Sequence, residues 1–197
     1  ETLNLRLAAF VSSHNEDTFG PWPVKAGLPT CELHRDLPID LQARHLLATR
    51  VIDDILIGNC FATEEELKAL SEVDLTKVTM NIDLEDVSEN ELDVLYNFYH
   101  VGRGDAPDYM LRSSGPRFKY KKPENSIAPR PYDAPFFKRG DVVIVNDNMK
   151  HYCGELQVVL KDMPNDGERN LLGRIPEQEL IILDLLKENI PFGFIKK

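Results

Sequence analysis

The sequence predicts an α+β protein: a helix-rich N-terminal part packed with a strand-rich C-terminal part. Three observations carry this. Helical apolar spacing recurs in the first hundred residues, behind Ser/Thr-x-x-Glu starts. Short alternating segments between glycine turns fill the last sixty. Between them lies a stretch with six prolines, Arg103 to Pro135. These divide the chain into an acidic part (1–102), a basic connecting arm (103–135) and a strand-rich part (136–197).

Taken in order, Leu3, Leu5 and Leu7 alternate with Asn4 and Arg6, and Ala9 and Val11 continue the face, which reads as a strand. Ser12 to Thr30 holds three prolines and two glycines and reads as ordered loop, with Trp22 pinned between Pro21 and Pro23. A long helix is expected from Pro38 to Gly58, with Leu41, His45, Ala48, Ile52, Ile55 and Leu56 near the helical period. A second helix starts at Thr63 with Glu66 three residues on, and a third at Ser88 with Glu91, ending by Gly102. Val73 to Val87 alternates between the last two and reads as one bulged strand or two short ones. In the C-terminal part, "VVIVN", "LQVVLKD" and "LLGRI" read as strands, with a hairpin turn at Asp166–Gly167. The last residues read as a short helix or an extended tail.

Gly140–Asp141, "VVIV", Tyr152, Gly154 and "ELQVVLKD", followed by "GRIPEQELIIL", resemble the SH3-like small barrels of Tudor, KOW and bromo-adjacent type. The resemblance covers residues 136–185 and implies an SH3-like small β-barrel for the C-terminal part. The aromatic cage of methyl-lysine readers is not matched, because only Phe136, Phe137 and Tyr152 lie nearby. The first hundred residues match no family.

Composition narrows the function classes. The chain has 197 residues, and 33 acidic against 23 basic side chains give a formal charge of −10. Such a surface as a whole repels nucleic acid and anionic membrane. The acids concentrate from Asp53 to Asp93, with thirteen acidic and two basic side chains. Arg112 to Arg130 holds six basic and one acidic. Three scattered cysteines fit a reducing compartment, hence an intracellular protein of nucleus or cytoplasm. No apolar run approaches the roughly 18 residues of a membrane helix. The start lacks both a methionine and a basic segment, which reads as a processed or excised start, not as a signal peptide.

Cys31 and His34 have ligand-like spacing, but two further ligands are missing, so no metal and no cofactor is expected. His151 and Cys153 would share a strand face, which leaves open an enzyme with a Cys-His site. Asp53–Asp54 and Asp83–Asp86 read as a solvated acidic face. Calcium loops, nucleotide-binding glycine motifs and the nucleophile elbow are absent. Arg-Gly-Asp occurs at Arg103 and Arg139 and is discounted as turn sequence. Arg112, Arg117, Lys119, Lys121 and Lys122 interleave with Phe118 and Tyr120, a pattern that suits RNA or DNA and equally an edge strand. The expectation is a non-catalytic interaction or scaffold module binding protein subunits or a basic peptide, with nucleic-acid association as the alternative. Its contact residues would be Arg117, Phe118, Lys119, Tyr120, Lys121, Lys122, Phe136, Phe137 and Tyr152.

Overall fold

The computed structural model describes residues 5–20, 27–122 and 124–196. The expectations for Leu3 and for Trp22 with its flanking prolines lie outside them. The chain divides into two compact units, Glu1–Leu75 and Thr76–Lys197.

Unit 1 is a β-α-β-α run. Strand β1 (Ala8–Val11) leads to helix α1 (Ile39–Ala48), strand β2 (Asp54–Ile57) and helix α2 (Glu64–Ser71). β1 and β2 pair in parallel, Ala8 opposite Asp54 and Val11 opposite Ile57. A helical crossover is what a parallel pair requires. Ala9 and Val11 pack with Ile39, Ala43 and Leu46 of α1, backed by Ile55, Ile57 and Leu70. The single long helix expected from Pro38 to Gly58 is therefore corrected to a helix and a strand. Arg50 takes the left-handed conformation (φ 61°) and stops the helix. The β-branched residues beyond it then pair with β1. α2 begins as expected, with both halves of the Thr63–Glu66 capping box formed.

Unit 2 is built on sheets. Strands β3 (Val78–Met80) and β4 (Asp83–Leu84) are the two short strands of the alternating segment. Helix α3 (Glu89–Asn97) has the Ser88–Glu91 capping box and ends earlier than expected, because β5 (His100–Val101) joins a sheet. Then come β6 (Met110–Ser113), the one-turn helix α4 (Arg117–Tyr120), β7 (Phe136–Phe137), β8 (Asp141–Val145), β9 (Leu156–Val159), β10 (Met163–Pro164), β11 (Arg169–Arg174), α5 (Leu180–Leu183) and β12 (Pro191–Phe194). The main sheet runs β4-β11-β8-β9-β6. A second runs β3-β12-β5, and β7 pairs with β10.

The strands expected to form the SH3-like barrel, β8, β9 and β11, are the centre of this five-stranded sheet. Its edges, β4 and β6, come from outside residues 136–185, and among the described residues no pairing joins them. Asp166–Gly167 does not close a hairpin between β10 and β11. β10 pairs with β7, while β11 pairs with β8 and β4. The β11 register shifts between Leu171 and Gly173. A side chain at Gly173 would collide with the Asp83 carbonyl, so glycine lets β4 approach the bulge. The last residues, read as a helix or tail, form β12, which lies between β3 and β5. That pairing places residues 76–102 in unit 2, not with the residues before them. The basic arm also belongs to unit 2. Arg130 pairs with Glu91 (2.8 Å) and Lys119 with Asp93 (2.9 Å), so its charge meets the acids of α3.

Candidate active site at the carboxyl end of a parallel strand pair

In open parallel sheets, ligands gather where strands end and loops begin. At that end of β1 a cavity of about 440 Å³ is lined by Ser12, Ser13, His14, Glu16, Arg35 and Asp36, among others. Two buried amides fix the backbone that forms its wall. Gln42 accepts from the Ser12 N–H (2.8 Å) and donates to the Ser12 carbonyl (3.0 Å). Asn59 does the same for Ser13, at 2.8 and 2.9 Å. Glu66 adds a third clamp, accepting from Ser13 Oγ (2.6 Å) and the His14 N–H (3.0 Å). Burial pushes the Glu66 carboxyl up, but the bonds from Ser13, His14 and Thr63 outweigh it and hold the group below its usual range. Glu66 is thus an ionised support for the strand end.

Ser12 differs from its neighbours. Its Oγ is buried and meets no hydrogen-bond partner among the described residues. Gly27 (φ 28°) stands against it, and a side chain there would come within 2.6 Å of that oxygen. A buried hydroxyl without a partner costs about 1–3 kcal/mol, which a ligand atom can recover. Around it the cavity offers the carboxylates Glu16 and Asp36, the His14 imidazole and Arg35. Arg35 donates to both oxygens of Glu32 at 2.6 Å and to the Gly27 carbonyl at 3.3 Å. Two carboxylates and an imidazole at a strand end are a set suited to acid-base work on a polar substrate.

The residues expected to bind a partner are divided between exposed and buried positions, although Arg117 meets Tyr152. Arg117 to Tyr120 is helical, so the extended alternation fails. Phe118 is exposed, while Tyr120 is buried and donates to Asp93 (2.7 Å). Burial and the bond to Asp93 push the Tyr120 phenol up to about 12. Asp93 is raised by burial, but bonds from Asn97, Tyr120 and Lys119 prevail and bring it down to about 2. Lys121 reaches over the Phe118 ring, and Lys122 is exposed. Phe136 is exposed; Phe137 is buried, stacked on Tyr132. Tyr152 is half-buried beneath the guanidinium groups of Arg112 and Arg117.

The Cys-His pair is also corrected. Cys153 is buried, its Sγ 3.3 Å from Asp147, and burial pushes the thiol up to about 11, which removes its thiolate at neutral pH. His151 is exposed on a 3-10 turn. His34 is fully buried against His45 (Nε2 to Nδ1, 2.9 Å), and among the described residues no three His, Cys, Asp or Glu side chains gather as a metal site would need. No helix among them is long and apolar enough to cross a membrane.

Comparison with known proteins follows the same division. Residues 1–72 match the model of the 6-phospho-N-acetylmuramidase N-terminal region, and residues 78–195 match that of its C-terminal region. The chain belongs to the 6-phospho-N-acetylmuramidase family. Two solved structures are similar. An uncharacterized B. cereus protein is 40% identical over 98% of this chain and 55% of its own, with a TM-score of 0.88. A conserved Enterococcus faecalis protein of unknown function is 26% identical over 98% and 50%, with a TM-score of 0.65. The chain spans about half the length of these proteins. No curated protein matches it.

Family membership overturns the non-catalytic scaffold and the nucleic-acid alternative, replacing both with an enzyme family. It also replaces the Tudor, KOW and bromo-adjacent resemblance, and gives the first hundred residues the family that sequence patterns did not. Sequence patterns miss the cavity residues because "SSHNE", from Ser12, reads as the start of a loop. The available signal was a polar run directly after a buried strand.

Proposed function

We propose that the protein takes part in hydrolysing a glycosidic bond of a 6-phosphorylated N-acetylmuramyl sugar. The observation that carries this is the tandem match of both family regions along one chain, in order. Glycoside hydrolysis ordinarily needs two carboxyl groups, one to protonate the leaving oxygen and one to act as base or nucleophile. Glu16 and Asp36 are the carboxylates of the cavity wall and take those two roles in this reading. His14 and Ser12 Oγ orient sugar hydroxyls, and the clamps from Gln42, Asn59 and Glu66 hold the strand end still beneath them. A phosphorylated substrate is charged and does not cross membranes freely, which favours action inside the cell.

The test is release of the aglycone from a chromogenic 6-phospho-N-acetylmuramyl glycoside. Turnover is expected with the unaltered protein. Glu16→Gln and Asp36→Asn should each reduce kcat about 10²–10⁴-fold. Unchanged kcat in both variants would remove the cavity from the chemistry. No turnover of the glycoside would remove the activity.

A further inference from the structure

One wall of the unit 1 cavity is a single stretch of chain: Gly27, Pro29, Arg35 and Asp36 all line it. Its ends are fastened by hydrogen bonds. Thr30 donates its N–H to the Phe10 carbonyl (3.0 Å) and accepts at Oγ1 from the Phe10 N–H (2.7 Å), while the Leu37 carbonyl accepts from Gln42 Nε2 (2.8 Å). Between them Leu33 is exposed, and His34 is the one fully buried side chain of residues 27–37. A polar ring thus does the anchoring usually left to an aliphatic side chain.

His34 ends the 3-10 turn Glu32–His34 and meets His45 of α1, Nε2 to Nδ1 at 2.9 Å, with the rings edge to face. A bond between two imidazole nitrogens needs one proton, so one ring donates and the other accepts. His34 Nδ1 is buried and has no partner among the described residues. A bare nitrogen there is a smaller fault than a buried N–H without an acceptor. The proton therefore sits on His34 Nε2, which donates to His45 Nδ1.

This arrangement has no place for a second proton. A proton on His45 Nδ1 sets two N–H groups against each other. Moving the first proton to His34 Nδ1 relieves that only by burying an unpaired donor. Burial and the neighbouring His45 push His34 down to about 4, so it does not take the proton itself. Other charged groups nearby pair locally: Glu32 with Arg35 on the turn (2.6 Å), Asp40 with Arg44 on α1 (3.0 Å) and Asp54 of β2 with Arg6 (2.5 Å). Cys31 and Asp36 flank the turn, and β1 has no titratable side chain. On α2, Glu66 is bound to Ser13 and His14, and Glu64, Glu65 and Lys68 are exposed.

We propose that His34 and His45 are positioning residues: with one proton between them they hold the turn that carries Arg35 and Asp36, and a second proton releases that wall of the cavity. The catalytic role of Asp36 rests on the proposed function; the hold on the wall does not.

The test follows amide exchange on the whole protein at about pH 7.5 and about pH 5, as protection factors, which removes the intrinsic pH dependence of exchange. The Arg35 and Leu37 N–H groups bond to the Glu32 and His34 carbonyls. Their protection should fall about tenfold on acidification while that of α2 stays level. His34→Gln puts an amide where Nε2 lies. An amide donates or, turned over, accepts, so it bonds His45 in either protonation state and should remove the acid effect. His34→Leu keeps the side chain apolar and loses the bond. Its protection should already be about tenfold lower at neutral pH, and its kcat for the muramyl glycoside about tenfold lower with KM little changed, with His34→Gln restoring both. Equal protection at both pH values in the unaltered protein overturns the proposal, as does an equal fall in His34→Gln. These two proteins decide the matter even where His34→Leu fails to fold. The expected exchange pattern in a protein that cleaves no muramyl glycoside supports the pair and overturns only the activity. Cleavage by His34→Leu at the unaltered kcat does the reverse.

Discussion

Ser12 Oγ and His34 Nδ1, both in unit 1, are the buried side-chain polar atoms left without a hydrogen-bond partner among the described residues. Unit 2 buries more polar groups and leaves none unpaired among them. Asn170 accepts from the Arg130 N–H and Asn146 and donates to Glu91 and Ala128, all at 2.8–2.9 Å. His100 places Nε2 3.0 Å from the Val94 carbonyl, which can only accept, so Nδ1 accepts from Ser113 Oγ at 2.9 Å. The apolar surface divides the same way. Among the described residues, eleven of the sixteen exposed large hydrophobic side chains lie in unit 1, including Phe10 and Leu56 on the paired strands. A fully bonded network supports a fold. An unpaired hydroxyl beside a cavity is an opening for a substrate atom.

The comparison is sharpened most strongly at Glu155, which is fully buried and held by Arg112 through two bonds of 2.7 and 3.0 Å. Arg112→Ala leaves that carboxylate buried beside a more distant Arg117 (3.5 Å) and should cost about 3–5 kcal/mol in urea unfolding. A loss below about 1 kcal/mol would mean that the unit 2 network carries little. Burial pushes Glu155 up, and Arg112, Gln157 and Ser114 pull it further down, so its folded value is depressed. Its stabilisation is present above the ordinary carboxylate range and lost as pH falls through the lowered value.

His100 comes next. Burial lowers it to about 4, against the pull of the Leu95 and Val94 carbonyls. The folded value lies below the unfolded one, so stability is full above about pH 6.5 and falls by about 3 kcal/mol on descending to about pH 4. An NMR titration of the ring should find it neutral down to about pH 4. A midpoint near 6.5 in the folded protein would contradict this.

In unit 1, Asn59→Ala removes both bonds to the Ser13 backbone. It should cost about 2 kcal/mol and speed amide exchange at Ser13 and His14 selectively. Uniform exchange across unit 1 would deny the clamp its local role. The smallest effect belongs to Ser12→Ala. Because the hydroxyl has no partner to lose among the described residues, stability should change by less than about 0.5 kcal/mol, while KM for the glycoside rises several-fold. A large loss of stability would show that the hydroxyl serves the fold.

The sequence by itself determined what lies within a few residues. Thr63 with Glu66 and Ser88 with Glu91 specified two helix starts, because a capping side chain reaches only its own first turn. Short, largely apolar runs rich in valine placed β8 and β9, strands buried at every position. The strand of Asp54–Ile57 was hidden, since its apolar residues also fit a helical period and only pairing with β1 decides between them. The cavity and the Glu155 network were equally hidden. Gly27, Arg35 and Asn59 meet the end of β1, and Arg112 and Arg117 meet Glu155, through parallel and antiparallel pairings made far along the chain. Tertiary structure decided those meetings, because burial and hydrogen bonding select a strand's partner over the whole unit, whereas a local pattern records only that a strand is there.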